Sequence, residues 1–224
     1  MMKRKIIVSA AVLTIAAALA AVGVWLYFNR FDAGEYVQAV LDVSYKNQTG
    51  LYVEITGVSE EEASHIFEEN LNATMEGFET SDMPEEQLPQ YRELFSTIAR
   101  EVSYTVGEPE RQEDGIYAVP VKVKPVTLFP DTYATFQTRA QEYADQVTDS
   151  VMNGGAMPSD EEMQAQIYQI YYDVLKERVD SGMLYSGARD VILHVTKEGS
   201  GKFSINEEDM DRLDSVLIEN VGEE

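Results

Sequence analysis

The sequence predicts an α+β protein in which one N-terminal transmembrane helix is followed by a single domain. Three observations predict this class. A nearly unbroken apolar run occupies residues 6–28, directly after Lys3, Arg4 and Lys5. Beyond it, the hydrophobic period changes between 3.6, typical of helices, and 2, typical of strands. The strands come in pairs between groups of helices, which favours an antiparallel sheet of two hairpins packed against several long helices.

The apolar run is long enough to cross a membrane. With a rise of about 1.5 Å per residue, its 23 residues span roughly 34 Å as a helix, and a hydrocarbon core is about 30 Å thick. Ala18-Leu19-Ala20 fits an export cleavage site, but the run continues past it to aromatic residues, which favours an uncleaved signal-anchor over a cleaved peptide. We expect residues 1–5 to be a cytoplasmic basic n-region, residues 6–28 a transmembrane signal-anchor, and residues 29–224 a single extracytoplasmic α+β domain. The protein would then be a single-pass protein of the cell membrane.

The composition excludes several kinds of chemistry. The chain has 40 Asp and Glu against 17 Lys and Arg, and all 40 acids follow Phe28. A nucleic-acid partner requires a basic stripe on the protein, so we expect none. The chain has no Cys, which removes disulfides, thiol catalysis and thiolate metal sites. Cationic ligands, divalent ions or a basic partner surface remain compatible with this charge.

The first part of the domain is predicted to be mainly helical. An amphipathic helix is indicated by apolar residues at helical spacing, namely Tyr36, Val37, Val40, Leu41 and Tyr45. Gly50 would end it. Leu51, Val53 and Ile55 then alternate with other residues, which predicts a short strand.

Two more helices should precede the first strands. Ser59 and Glu62 form a capping box. The side chain of each residue accepts a hydrogen bond from the backbone N–H of the other, and both N–H groups would otherwise lack a partner at the start of the helix. The buried face of this second helix is predicted to consist of Ala63, Ile66, Phe67, Leu71, Thr74 and Phe78. A third helix should begin at Leu88-Pro89, because the first turn of a helix tolerates proline.

The first hairpin is indicated by two segments of period 2. Apolar residues alternate over residues 102–106 and again over residues 117–123, with Asp114-Gly115 as the turn between them. Pro120 has no N–H to donate, so the second strand should lie at an edge of the sheet or contain a bulge.

Two long helices and a second hairpin follow. Residues 133–151 repeat apolar side chains at helical spacing, and Ser159 with Glu162 forms another capping box. Residues 190–196 alternate as a strand, a short return strand covers residues 202–205, and Asn206 caps a last helix.

Part of the chain resembles a known family. The matching segments are Phe31-Asp32-Ala33-Gly34-Glu35-Tyr36-Val37, Leu41-Asp42, Tyr45-Lys46 and Ser59-Glu60-Glu61-Glu62-Ala63. They resemble exported α+β domains of unknown function, found mainly as lipoproteins of low-GC Gram-positive bacteria. Those relatives usually carry a lipobox Cys, whereas this sequence has no Cys. The resemblance therefore implies an extracytoplasmic, membrane-tethered domain in which the anchor helix replaces the lipid, and it implies no functional residue.

The search for catalytic motifs finds none. Gly-x-Ser-x-Gly, Ser-x-x-Lys, His-Glu-x-x-His, the EF-hand loop and a phosphate-binding glycine loop are all missing from the sequence. We therefore predict no catalytic residue, no metal site and no cofactor. His194 is polar within an apolar strand, and it could line a ligand pocket together with Tyr168, Tyr171 or Tyr172. The alternative to a pocket is that His194 is half-exposed on the face of the sheet and that the three tyrosines belong to the core and its rim.

These observations favour a non-enzymatic binding module that recognises a protein partner or a small ligand at the bacterial cell surface. One alternative is a surface hydrolase that uses Asp and Glu, which would need two carboxyl groups about 5–10 Å apart in an apolar pocket. A second alternative is a structural subunit of an envelope complex, which would expose an apolar patch of several hundred Å².

Overall fold

The computed structural model describes residues 32–78, 83–197 and 203–219. The predicted n-region, residues 1–5, and the predicted transmembrane segment, residues 6–28, lie outside these ranges. No helix within them has both the length and the apolar composition that a membrane crossing requires. The elements below belong to one unit, Ala33–Glu224.

Seven α-helices and five β-strands occupy the described ranges. In chain order they are α1 (Ala33–Lys46), α2 (Gly50–Thr56), α3 (Glu60–Phe78), α4 (Leu88–Arg100), β1 (Ser103–Val106), β2 (Glu110–Arg111), β3 (Ile116–Lys124), α5 (Leu128–Met152), α6 (Asp160–Asp180), β4 (Arg189–Lys197), β5 (Phe203–Ile205) and α7 (Glu207–Leu217). Single 3₁₀ turns precede α4 at Glu85–Gln87 and β3 at Glu113–Gly115.

The strands form one antiparallel sheet in the order β1-β3-β4-β5, with β2 paired to β3 beside β1. The two predicted hairpins are joined through β3 and β4, which pair from Ile116 with Thr196 to Val123 with Arg189. Six alternating residues of these strands are buried: Val119, Val121, Val123, Val191, Leu193 and Val195. The helix α1 contacts β1, β3 and β4. The predicted α+β class with an antiparallel sheet is confirmed.

Pro120 lies in a central strand, so the edge alternative of its prediction is wrong. The bulge alternative agrees with the register, which shifts by one residue beside Pro120, from Val106 opposite Val121 to Glu110 opposite Ala118. β3 pairs with β4 on one side and with β1 and β2 on the other. The backbone N–H of Gly107 donates to the carbonyl of Pro120 (2.7 Å). The N and O atoms of a strand residue point to the same side, so the nitrogen of Pro120 faces residues 107–109. These residues separate β1 from β2, and the missing donor therefore falls where the ladder is interrupted.

The predicted strand at Leu51, Val53 and Ile55 is also wrong, because these residues belong to helix α2. α1 ends earlier than predicted, since Asn47 adopts the left-handed conformation (φ 54°) and the N–H of Gln48 donates to the carbonyl of Asp42 (3.0 Å). Gly50 therefore begins a helix instead of ending one. Three alternating residues are too few to distinguish a strand from a one-sided short helix.

A second layer of helices forms an apolar cluster of its own. Its buried side chains come mainly from α3, α4, the start of α5 and α6, and they include Phe67, Leu71, Met75, Tyr91, Leu94, Phe95, Ile98, Leu128 and Leu175. Within α3 the predicted capping box is confirmed, as the N–H of Glu62 donates to Ser59 Oγ (3.2 Å) and the N–H of Ser59 to Glu62 Oε2 (3.0 Å). Of the predicted buried face, Ala63, Phe67 and Leu71 are buried, Ile66 and Phe78 are half-buried, and Thr74 is exposed. Met75, which was not predicted, is buried.

α5 and α6 form a helical hairpin. The 25 residues of α5 reach about 37 Å, and of these only Leu128 and Thr132 are buried. The Arg139 guanidinium forms two hydrogen bonds with the Glu177 carboxylate, at 2.9 and 2.7 Å. The predicted capping box at the start of α6 is confirmed at Ser159.

Candidate functional site

A cleft of about 630 Å³ lies between α3 and α7, with residues of α4 at its base. Its volume falls within the range of about 300–1,000 Å³ that small-molecule sites occupy. The apolar side chains that line it are Ile66, Phe67, Leu71, Ala73, Phe95, Ile98, Ala99, Val102, Phe129, Met210, Leu217 and Ile218. The polar ones are Ser44, Tyr45, Asn70, Thr74, Asp214 and Ser215.

Each wall of the cleft is one stripe of a helix. α7 contributes Met210, Asp214 and Leu217, which at i, i+4 and i+7 share one face of the helix. α3 contributes Ile66 and Asn70 at the same spacing, next to its buried face. The start of α7 is fixed because Asn206 Oδ1 accepts from the N–H of Asp209 (3.1 Å).

Among the residues that the structure describes, Asp214 is the only one with a charged side chain in the lining of this cleft. The residue is exposed, as expected at the mouth of a cleft. The hydroxyl of Tyr45 donates to Asp214 Oδ1. Partial burial raises the pKa of the Asp214 carboxyl above its ordinary value, the hydrogen bond from Tyr45 opposes this rise, and the charge of Asp211 adds to it. Burial likewise raises the pKa of the Tyr45 hydroxyl, as does its carboxylate partner.

A second tyrosine–carboxylate pair, Tyr104 and Asp42, lies next to Tyr45. The hydroxyl of Tyr104 donates to Asp42 Oδ1 (2.6 Å), and the rings of Tyr45 and Tyr104 lie 6.3 Å apart. Lys46 Nζ is 4.3 Å from the centre of the Tyr104 ring, a cation–π contact. These contacts join α1 to β1 and hold the Tyr45 ring in place.

His194 lies on β4 and bonds to α7. Its Nδ1 is 2.7 Å from Asp209 Oδ2, and Arg212 Nη1 is 3.1 Å from Asp209 Oδ1. The imidazole is 39% exposed, whereas the Asp209 side chain is 6% exposed. Desolvation alone would raise the pKa of Asp209, but the hydrogen bonds from His194 and the charges of His194 and Arg212 outweigh it and hold this pKa below its ordinary value.

The three predicted tyrosines lie together on α6, against Tyr91 of α4. The Tyr91 hydroxyl donates to the backbone carbonyl of Tyr168 (2.7 Å). Its ring centre is 5.5 Å from that of Tyr172, and Tyr171 packs edge-on against Phe136 at 5.0 Å. These contacts belong to the apolar cluster between the helices. None of the three tyrosines, nor His194, lines the cleft, and a ligand role for these four residues stays a prediction.

The cleft offers one carboxylate, not two. Asp214 is the single acid in its described lining, and the hydrolase alternative requires a pair. Over the described ranges, no three His, Asp or Glu side chains are grouped so that they could hold a metal ion. The arrangement suits reversible binding of a ligand: apolar walls, a few polar groups, and one charge at the mouth.

Sequence patterns could not identify Asp214 or Tyr45 as site residues. Asp214 is one of 40 acids, and its only distinguishing feature is its place between Met210 and Leu217 on the apolar face of α7. Tyr45 occupies one of the apolar positions of the predicted first helix. The hydrogen bond between them joins residues 169 positions apart, a relationship that no local pattern contains.

Comparison with known proteins yields a structural relationship. No family model and no curated protein matches the sequence. Among solved structures, the fold is similar to that of "a putative lipoprotein (ycdA) from Bacillus subtilis", with a TM-score of 0.57 and 16% sequence identity. The similarity covers 84% of this chain, and this chain spans 56% of the length of that one. At this identity it establishes a shared fold.

Proposed function

We propose that this protein is a membrane-tethered, extracytoplasmic binding module, and that the cleft between α3 and α7 holds a small ligand with an apolar body. The observation that carries the proposal is the cleft itself. Its base consists of side chains such as Phe67, Leu71 and Ile98, which the surrounding helices hold in place. Displacing water from such a surface is favourable by about 25 cal/mol per Å² of apolar area.

The proposed location rests on two further observations. Three cations precede the apolar run of residues 6–28, the arrangement of a signal-anchor with its N-terminus in the cytoplasm. The structurally similar protein from Bacillus subtilis is described as "a putative lipoprotein", which agrees with the sequence resemblance to exported, membrane-attached domains. In this proposal residues 29–224 form one domain outside the cell, and its function requires neither catalysis nor nucleic acid.

The proposal can be tested with an uncharged probe. We would place the full-length chain in lipid nanodiscs, label its methionine methyl groups with ¹³C, and titrate it with n-octanol. The methyl signal of Met210, which lines the cleft, should shift and saturate. The methyl signal of Met152, 81% exposed at the far end of α5, should not.

A matched pair of substitutions locates the binding. Ala73→Trp on α3 would fill the cleft and should abolish the octanol-dependent shift of Met210. Ala144→Trp, at an exposed position of α5, should leave it intact. The proposed function would be wrong if octanol caused no saturable shift, or if Ala73→Trp and Ala144→Trp behaved alike.

A further inference from the structure

The charge at the mouth of the cleft narrows the class of ligand. We propose that the ligand is a small amphiphile with an ammonium group at one end, that its apolar part occupies the cleft, and that Asp214 is its counter-ion. This inference rests on the proposed function of the cleft and adds the chemistry of the head group.

The electrostatics of the cleft favour a cation. Asp214 lines it and no Lys, Arg or His among the described residues does so. Asp211, one turn away on α7, adds a second negative charge that acts on Asp214. An anionic amphiphile would place a like charge beside this carboxylate, whereas an ammonium group would neutralise it.

One oxygen of the Asp214 carboxylate can accept a further hydrogen bond. Tyr45 donates to Oδ1 of Asp214, and Oδ2 has no hydrogen-bond partner among the residues that the structure describes. Partial desolvation, which raises the pKa of Asp214, makes its ionised form costly until a cation approaches. A charge-assisted hydrogen bond from an ammonium to Oδ2 would offset that cost.

The distribution of side chains sets the direction of the ligand. Phe67 and Ile98 are 2% and 1% exposed and lie deep in the cleft, whereas Asp214 is exposed. An alkyl or aryl part would therefore enter first, and the ammonium would stay at the mouth in contact with water. Tyr45, held by Tyr104, is a positioning residue that fixes the Asp214 carboxylate.

Three probes of equal chain length test the inference. Octylamine, n-octanol and octanoate would each be titrated into the full-length chain in zwitterionic nanodiscs, with Met210 methyl shifts as the readout and free concentrations corrected for partition into empty nanodiscs. We expect octylamine to bind at least tenfold more tightly than octanol, and octanoate to bind more weakly than octanol. Asp214→Asn should remove most of the preference for octylamine, whereas Asp211→Asn should retain most of it.

The outcomes separate this inference from the proposed function. If octylamine and octanol bind equally, and Ala73→Trp abolishes both, the cleft is a binding site and the cationic head group is refuted. If none of the three probes binds, both proposals fail. A preference for octylamine that survives in Asp214→Asn would also overturn the inference, provided that the methyl spectrum of the variant shows it folded.

Discussion

His194 and Asp209 are joined twice, because both the backbone N–H and the imidazole Nδ1 of His194 reach the same carboxylate oxygen of Asp209, at 2.9 and 2.7 Å. Within the described ranges, β5 pairs with β4 over residues 195–197 of β4. Directly after this pairing, the N–H of Asn206 donates to the carbonyl of His194 (2.9 Å). If β5 continued, its next backbone carbonyl would accept the hydrogen bond from the N–H of His194. The Asp209 carboxylate accepts this bond instead, and it thereby connects β4 to α7.

Removal of the Asp209 carboxylate should destabilise the domain. Asp209→Ala leaves the N–H of His194 without its acceptor, and we expect the free energy of unfolding to fall by about 1–3 kcal/mol. Urea denaturation followed by circular dichroism would measure it. Asp211→Ala, an exposed position of the same helix, serves as the control and should change stability by no more than about 0.5 kcal/mol. Equal effects of the two substitutions would contradict the structural role of Asp209.

The same carboxylate predicts a dependence of stability on pH. Its folded-state pKa is lowered, so its contribution is complete above the unfolded value of about 3.9 and is lost as the pH falls through the lower, folded value. The stability advantage of the wild type over Asp209→Asn should therefore shrink in acid. Denaturation at a series of pH values between neutrality and strong acid measures the difference, and an advantage that grew in acid would refute the assignment.

The contribution of Asp214 to stability should change with pH in the opposite direction to that of Asp209. Its pKa is raised in the folded state, so the protonated form favours folding and this contribution is lost as the pH rises through the folded value. Asp214→Asn should therefore make the protein more stable than the wild type at neutral pH, with a smaller gain in acid. A gain in stability that accompanies loss of ammonium binding is expected of a residue kept for function. A destabilised variant at neutral pH would contradict this prediction.

Two glycines should respond to alanine in opposite directions. A Cβ at Gly107 would lie 2.9 Å from Pro120 Cγ and 3.2 Å from its carbonyl oxygen, and we expect this overpacking to cost about 1–3 kcal/mol. Gly77 lies in the last turn of α3 with open space around it, so Gly77→Ala should stabilise the protein by up to about 0.5–1 kcal/mol, the value for the middle of a helix. Thermal unfolding of the two variants would show it, and a neutral Gly107→Ala would indicate that β1 and β3 separate easily.

The sequence-based predictions succeed where a local interaction determines the structure. The capping boxes at Ser59 and Ser159 and the cap at Asn206 involve residues three positions apart, and all three are confirmed. The alternation of β3 and β4 likewise gives the correct buried face. The predicted strand at Leu51 fails because three residues carry too little periodicity. Of the two alternatives for Pro120, the edge fails because it assumes an unbroken neighbouring strand, whereas here the neighbour is interrupted where the register shifts.

The cleft is less predictable, because no single segment contains it. Its walls come from α3 and α7, which are far apart in the sequence. The volume of the cleft depends on the distance between these two helices. Each wall taken alone has the pattern of an ordinary amphipathic helix. Ile66 is indistinguishable by spacing from a core residue such as Phe67, although in the structure it lines the cleft and is only half-buried.

The interruption opposite Pro120 has a consequence for association between molecules. It leaves four residues in β1 and two in β2, and β5 on the other border has three. An edge strand recruits a strand of another chain when it presents a long row of free backbone groups. The nine-residue strands β3 and β4 therefore lie between borders that are poor templates for amyloid-like growth. For domains crowded together on one membrane, as we propose, such borders favour a dispersed population over polymers.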